Sequence, residues 1–559
     1  MFDATDVCMY RGATACTQLL KSPLNPLPPH SCSQSDRKTL VKEMWVEIIA
    51  LLFILFLLFY RMITKNFDKW EKAGIAFKPG HFPYGSVNVF KEKKNFSQFV
   101  IDMSKEFKDE RFFGWFMFGK PMLMIHDVEL VKKIKVADFN HFVDPHDDNT
   151  AKTARMGGDM DRLMNHNVGS AKGEEWKDVR SSLTPIFTSG KMKHMLKFVV
   201  DVSKGLLTEM EKQTEKGEFE LKEVTGKFSL DALATCAFGL DFDSFGSESS
   251  NAFVHYASDV FKQDIWTAML FLKFIPGVGK LFEIFNINLQ KPKSVKFFKE
   301  IVTKTLKQRA ETGQRRNDMI DMMLDIINDI EKDKEEEAEN DQYHQDMKLS
   351  HKKRRKMTEH DVISNLIILL MVGYDTTGMT LAFILFALAE NEEVQEKLQQ
   401  EVDEAWEDAG GVFPDYAKIQ TLPYTEMVIY EALRFYSPII MTIRSCTEDY
   451  AVPGSNLILK KNDMLAFNAD HYHRDPKHWS HPDVFYPEHW TVEEKSNRLY
   501  IDLYIQTKMS LRHIYATTKS QVSSCLPSVW AGSKGLPWDA LRSSGVEGDL
   551  CLEQKHCQL

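Results

Sequence analysis

Five residues, Gly373-Tyr374-Asp375-Thr376-Thr377, interrupt an apolar run of helix length over 366–388, and their types could do chemistry. An Asp can relay protons, a Thr hydroxyl both donates and accepts, and a Gly removes side-chain bulk beside a ligand. Three readings of the run compete. An apolar stretch of about twenty residues can span a bilayer, but a mid-span Asp would cost roughly 2.5–3.5 kcal/mol and would itself demand a function. A core helix can satisfy a buried Thr by a bond to a carbonyl one turn earlier. A helix that opens locally beside a cofactor would use Gly, Asp and Thr together. Residues elsewhere in the chain must decide.

The elements that would position these residues are mostly helical. Thr358 with Asp361 three residues on forms an N-terminal capping signal, and no proline occurs between Pro292 and Pro414, so one helix can run through the polar cluster. Amphipathic periodicity predicts further helices over 174–182, 293–309, 394–406 and 422–436. The first carries Trp176 and Arg180 one turn apart, where an indole N–H and a guanidinium can both donate to one carboxylate. The last carries Glu431 and Arg434 on one face; an ion pair on the surface there would be worth only a few tenths of a kcal/mol. Short strands are expected around Ile443, Ala451 and 457–465, with Gly454 and Asn462-Asp463 marking turns. The fold class is therefore mainly α with small β-sheets, an α+β architecture.

Composition sets the bounds. A chain of 559 residues with 43% hydrophobic and 27% charged residues is ordinary globular material, and a net charge of -10 gives no sign of nucleic-acid binding. Eight cysteines are too few for a disulfide scaffold, and only Cys236 and Cys446 lie between residues 33 and 524, which suits a reducing compartment. The remaining cysteines sit in the two ends, which sets those ends apart from the middle.

Residues 1–43 are rich in Ser, Pro, Thr and Cys without periodicity and read as a disordered leader outside the design. Residues 44–62 form an N-terminal membrane anchor: about 16 apolar residues at 1.5 Å each reach roughly 24 Å, adequate for the thinner endoplasmic-reticulum bilayer. No small-residue cleavage site follows the run. The basic flank of Arg61, Lys65, Lys69 and Lys72 leaves the body on the cytoplasmic side. Arg37, Lys38 and Lys42 oppose that orientation unless translation begins at Met44. Pro79, Gly80, Pro83 and Gly85 make a hinge to the body. The apolar stretch 266–285 is either core or a second membrane-touching patch. Residues 329–356 read as a solvated charged loop whose basic end, 351–356, only superficially matches a nuclear-import signal.

Four features in fixed order, over roughly residues 44–498, resemble the cytochrome P-450 family of haem-thiolate monooxygenases. Trp176-Lys-Asp-Val-Arg180 is similar to the W-x-x-x-R helix whose Trp and Arg hold a haem propionate. Val372-Gly373-Tyr374-Asp375-Thr376-Thr377 is similar to the oxygen-activation motif [AG]-G-x-[DE]-T-T. By that resemblance Asp375 and Thr376 deliver protons and Gly373 leaves space for dioxygen, while Val372, where the family has Ala or Gly, narrows the groove. Glu431-Ala-Leu-Arg434 matches E-x-x-R, and Arg444 follows as a second propionate ligand. Phe485-Tyr486-Pro487-Glu488-His489-Trp490 is close to F-x-P-E-R-F, with His489 where the family has the Arg that closes a buried network on the E-x-x-R pair. The shorter, only partly charged His implies a weakened lock. The resemblance, strongest to the microsomal branch that oxidises drugs, steroids and insecticides, implies haem b as cofactor and dioxygen with an apolar small molecule as substrates. No nucleotide-cradling loop is present, so it also implies electrons from a separate NADPH-dependent flavoprotein reductase.

The family's defining F-x-x-G-x-R-x-C-x-G, whose Cys thiolate is the axial iron ligand, is missing. Cys525, Cys551 and Cys557 lie in sequence that lacks its glycines and arginine. Codon arithmetic accounts for this. Trp is TGG only, so Trp530 before Ala531 and Trp538 before Asp539 each force GGG, glycine, one nucleotide forward, eight codons apart as in F-G-x-G-P-R-x-C-x-G. Between and beside them Val529 permits Phe, Gly532 Gly, Ser533 Pro, Lys534 only Arg or Lys, and Leu536 Cys. Residues 499–559 are therefore expected to be a shifted reading frame, leaving 63–498 as the P-450-like domain. The rival reading is a non-catalytic, membrane-attached binding or scaffold protein that kept the fold and lost the haem.

Overall fold

The computed structural model describes residues 34–87, 96–117, 119–155, 157–217, 219–240, 244–245, 248–261, 278–288, 291–328 and 357–497. The expectations for the rest of the leader, the loop 329–356 and the tail 499–559 lie outside these residues. The anchor sequence forms one helix, α1 (Gln34–Thr64), which starts upstream of the expected residue 44 because nothing in its polar first turns breaks a helix. Its apolar side chains from Trp45 to Leu58 are exposed. The described chain divides at Phe59 into the greater part of this helix and a second unit beginning at Tyr60.

Within the second unit the helices that position the site are α2 (Gly173–Leu183), α3 (Ser189–Lys216), α4 (Leu221–Leu233), α5 (Pro292–Thr312), α6 (Glu359–Glu390), α7 (Glu392–Asp408) and α8 (Pro423–Phe435). α6 begins with the expected capping box: the Thr358 hydroxyl accepts from Asp361 N and the Asp361 carboxylate accepts from Thr358 N. It then runs unbroken through Gly373 to Thr377, so the helix does not open locally at the polar cluster. Its first half packs Val362, Leu366 and Leu370 with Phe298 and Val302 of α5. Its second half packs Leu381, Ile384 and Leu388 with Phe228 of α4, Leu398 of α7 and Ile429 of α8. Each such side chain taken out of water contributes about 1.5–3 kcal/mol. That settles the transmembrane alternative for 366–388: the apolar window of this helix is 67% buried inside the protein, against 6% for the window in the N-terminal helix.

Two small sheets complete the unit. β1 (Phe112–Met117), β2 (Lys120–Ile125), β3 (Met441–Ser445) and β6 (Met464–Asn468) form a four-stranded sheet in the order β1-β2-β6-β3, while β4 (Tyr450–Ala451) pairs with β5 (Ile458–Leu459). β1 and β2 form a hairpin through Gly119 at φ 83, β2 runs parallel to β6, and Arg444 of β3 stands opposite Leu465 of β6. The strand-like residues 457–465 form β5 and the start of β6, separated at the expected turn, where Asn462 has φ 71. β1 and β2 were absent from the sequence reading because Phe-Phe-Gly-Trp-Phe-Met is buried on both faces and shows no alternation. Of the apolar stretch 266–285, only 278–285 is described; it ends in exposed Ile284 and Phe285, 72% and 68% accessible.

Candidate functional site

The most completely built part of the site is the Glu431–Arg434 pair on α8. It is not the surface pair that spacing alone suggested: Glu431 is 0% and Arg434 2% accessible. Arg434 donates Nε to Glu431 Oε2 at 2.8 Å and Nη2 to Oε1 at 2.7 Å, a two-pronged pairing. Its remaining donors reach His473 O, Pro482 O and Val484 O at 2.7, 2.8 and 2.9 Å. Glu431 also accepts from Tyr486 N at 2.8 Å, His489 Nδ1 at 3.2 Å and Trp490 Nε1 at 2.9 Å. Burial alone would raise the Glu431 pKa, but the hydrogen bonds from Arg434 and His489 overcome it and hold the group at about 2. His489 thus occupies the closing position, and its Nε2 accepts from His481 N at 3.4 Å. One ring nitrogen faces the Glu431 carboxylate and the other the His481 amide. Trp490 and the Tyr486 amide were missed by sequence reasoning; the signal was an indole N–H where the family pattern has Phe.

The polar cluster of α6 is positioned by α4. Thr376 is buried and its hydroxyl donates to Val372 O at 2.7 Å, the one-turn back-bond expected of a core helix. Thr377 Oγ1 is buried without a hydrogen-bond partner among the described residues. Asp375 lies 3.8 Å from Lys222 Nζ of α4, and burial raises its pKa while Lys222 pulls it back. Gly373 also lets α4 approach α6 closely. A Cβ there would stand 2.7 Å from Leu233 Cδ1, so the room its missing side chain leaves is filled by α4, and Ser229 of the same helix donates to Gly373 O at 3.2 Å. Tyr374 packs on Gly226, and burial raises its phenol to about 12.

The remaining candidates lie on other elements. Trp176 and Arg180 are on α2, with the Trp176 ring edge-on to Phe139 at 5.7 Å. Arg444 lies on β3, where burial lowers its pKa to about 10. Beside it is Lys135, buried, hydrogen-bonded to Thr442 Oγ1 at 3.0 Å and lowered to about 7 by burial and then by Arg444. Two cations enclosed side by side suit an anion such as a haem propionate. The axial position is different. Cys236 and Cys446 are the cysteines among the described residues, and burial raises their thiols to about 12 and about 11. The cation pair and the polar cluster of α6 suit the propionate and distal sides of a haem, and the stretch where the family carries its axial cysteine lies outside the described residues.

A helical body with a carboxylate–hydroxyl pair on its central helix, a cation pair suited to propionate and a buried Glu–Arg lock is the framework of a haem oxidoreductase. The family model Cytochrome P450 matches residues 76–505, and the chain belongs to that family, whose members are haem-dependent monooxygenases. Among its relatives are a probable cytochrome P450 9f2 of Drosophila melanogaster, 28% identical over 81% of this chain and 86% of the relative. Cytochrome P450 9e2 of Blattella germanica is 28% identical over 82% and 86%. Cytochrome P450 3A14 of Cavia porcellus is 30% identical over 83% and 85%.

Proposed function

We propose that the chain is the framework of a membrane-attached monooxygenase of the endoplasmic reticulum, its body on the cytoplasmic side. Its substrates are dioxygen and an apolar small molecule, and its electrons come from an NADPH-dependent flavoprotein reductase. The observation that carries this reading is the pairing on α6 of Asp375, its pKa raised by burial and steadied by Lys222, with the buried hydroxyl of Thr376. An acid whose pKa is raised by burial holds its proton more readily than an exposed carboxylate and can pass it to a neighbouring group. Trp176, Arg180 and Arg444 would hold the propionates of haem b, and Glu431, Arg434 and His489 lock the segment after α8. When bound with a thiolate ligand, the haem supplies the electron-rich iron that splits dioxygen.

As written, the polypeptide lacks that ligand. Residues 499–559 carry no F-x-x-G-x-R-x-C-x-G, and we assign them to a shifted frame. The missing motif favours the second reading for this polypeptide, a non-catalytic, membrane-attached binding or scaffold protein of the same fold. A carbon-monoxide difference spectrum distinguishes the two. The chain as written should give no red-shifted band of thiolate-ligated ferrous haem, and the same chain with residues from 499 onward translated one nucleotide forward should give it. A thiolate band from the unaltered chain would overturn the missing-ligand assignment, and none from the corrected chain would sink the monooxygenase reading.

A further inference from the structure

His166, Glu175 and Asp361 come from three elements: the loop after the helix Asp159–Met164, the first turn of α2 and the first turn of α6. Each offers one ligand atom, and the three atoms lie within 4.8 Å of one another. We propose that they form a binding site for a divalent transition-metal cation of the zinc type, separate from the haem site.

The donor set and its surroundings both support this. One imidazole nitrogen and two carboxylate oxygens are a zinc-class ligand set, whereas calcium would call for six or more oxygens. His166 Nδ1 is a buried atom that makes no hydrogen bond: it lies 3.3 Å from Asp361 Oδ1 without the alignment a bond needs. An imidazole nitrogen left without a hydrogen bond beside two carboxylates suits a bound cation. Both carboxylates are oriented by hydrogen bonds, as ligating carboxylates are. Asp361 Oδ2 accepts from Thr358 N at 2.7 Å and Thr358 Oγ1 at 2.9 Å, and Glu175 Oε2 accepts from Arg155 Nη2 at 3.0 Å. The loop bearing His166 is held to the same end of α6, since Asn365 accepts from Val168 N at 2.9 Å and donates to His166 O at 3.3 Å. Tetrahedral zinc bonds of about 2.0–2.1 Å place ligands roughly 3.3 Å apart, so closure asks for side-chain movements on the order of 1 Å. A cation would also neutralise the Asp361 carboxylate, which is buried at the start of α6.

The test uses the full chain in detergent, stripped of metal by a chelator and titrated with Zn²⁺ by calorimetry and with Co²⁺ by visible spectroscopy. The tail holds competing ligands in Cys525, Cys551, Cys557 and His556, and cobalt separates them because thiolates give sulfur-to-cobalt charge-transfer bands. We expect one saturable site with nitrogen–oxygen spectra and a metal-dependent rise in unfolding temperature. Affinity should fall by more than about tenfold in His166→Gln and in Glu175→Gln, since loss of even an outer-shell partner costs that much. Asp361 is left unchanged because it also caps α6, and the metal-free unfolding temperature of each variant shows that it is folded. Absence of saturable binding, a purely sulfur-type spectrum, or unchanged affinity in both variants would overturn the proposal.

Discussion

At the scale of single residues, Glu431 shows how a carboxylate stays ionised without water: Arg434, Tyr486 N, His489 and Trp490 all donate to it. Replacing it by Ala would leave the buried Arg434 uncompensated, and unfolding in urea should show a loss of roughly 3–5 kcal/mol. The pH dependence follows from the depressed pKa. A folded value of about 2 against an ordinary 4.5 means that its contribution, roughly 3 kcal/mol, is fully present above pH 4.5 and is lost as pH falls through 2. Glu431→Gln should therefore flatten the stability profile between those limits as well as lower it at neutrality. His126 works in a different window. Burial, and then the stacked ring of His471 at 3.7 Å, lower its pKa to about 3, so it stays neutral in the fold while the unfolded chain takes up a proton near 6.5. Stability is lost progressively from pH 6.5 down to about 3. His126→Gln, which cannot titrate, should retain more of its stability between pH 6 and 4 than the parent retains, measured as unfolding free energy relative to pH 7; an equal loss in both would contradict the assignment. The sequence order of Glu431, Arg434 and His489 made this network legible in outline, but its burial and the Trp490 contact depend on chain segments that meet only in three dimensions.

At the scale of elements, α4 fixes α6 through absences of side chains. A Cβ at Gly378 would stand 2.9 Å from Gly226 Cα, a backbone atom that cannot rotate away. Helix propensity alone would favour Gly378→Ala by up to about 1 kcal/mol, but overpacking against a backbone costs about 1–3 kcal/mol. The clash should win, and the variant should unfold at lower urea concentration. Gly205 in α3 is the matched control: a Cβ there meets nothing closer than Phe245 Cδ2 at 3.5 Å, so Gly205→Ala should stabilise by roughly 0.5–1 kcal/mol. Opposite signs for the same substitution would show that contact with α4, not helix propensity, decides at Gly378; stabilisation by both would refute it. This was not legible in the sequence, where Gly373 and Gly378 are simply glycines in an apolar run. What local sequence did reveal were the features it controls by itself: the capping box at Thr358 and Asp361, the amphipathic faces of α5 and α7, and the turn at Asn462. β1 and β2 escaped because a strand buried on both faces carries no period to read.

At the scale of the whole molecule, the chain divides by composition into a cysteine-poor middle matched by the family over residues 76–505 and two cysteine-bearing ends. The family pattern places the axial thiolate beyond Trp490, where this sequence has no F-x-x-G-x-R-x-C-x-G. Two explanations differ at the nucleotide level. If the end is a shifted frame, the DNA beneath Val529 to Leu536 must read, one nucleotide forward, Phe-Gly-x-Gly-Pro-Arg-x-Cys, and Trp538 must supply the closing glycine. Trp530 and Trp538 force their glycines whatever the third bases are, so they test nothing. The informative codons are those of Ser533, Lys534 and Leu536: Ser533 must end in two C's and yield CCA with the first base of Lys534, Lys534 must be followed so that its last two bases and the next G read AGG, and Leu536 must be CTG or TTG to yield TGC with the first base of Pro537. For Lys534 this requires AAG. Sequencing the genomic DNA decides it. AAA at Lys534 leaves a lysine in place of the arginine, and any third base but G at Leu536 leaves no cysteine; either would mean that the axial ligand was lost rather than displaced, and the non-catalytic reading would then stand for the gene as well as for the polypeptide.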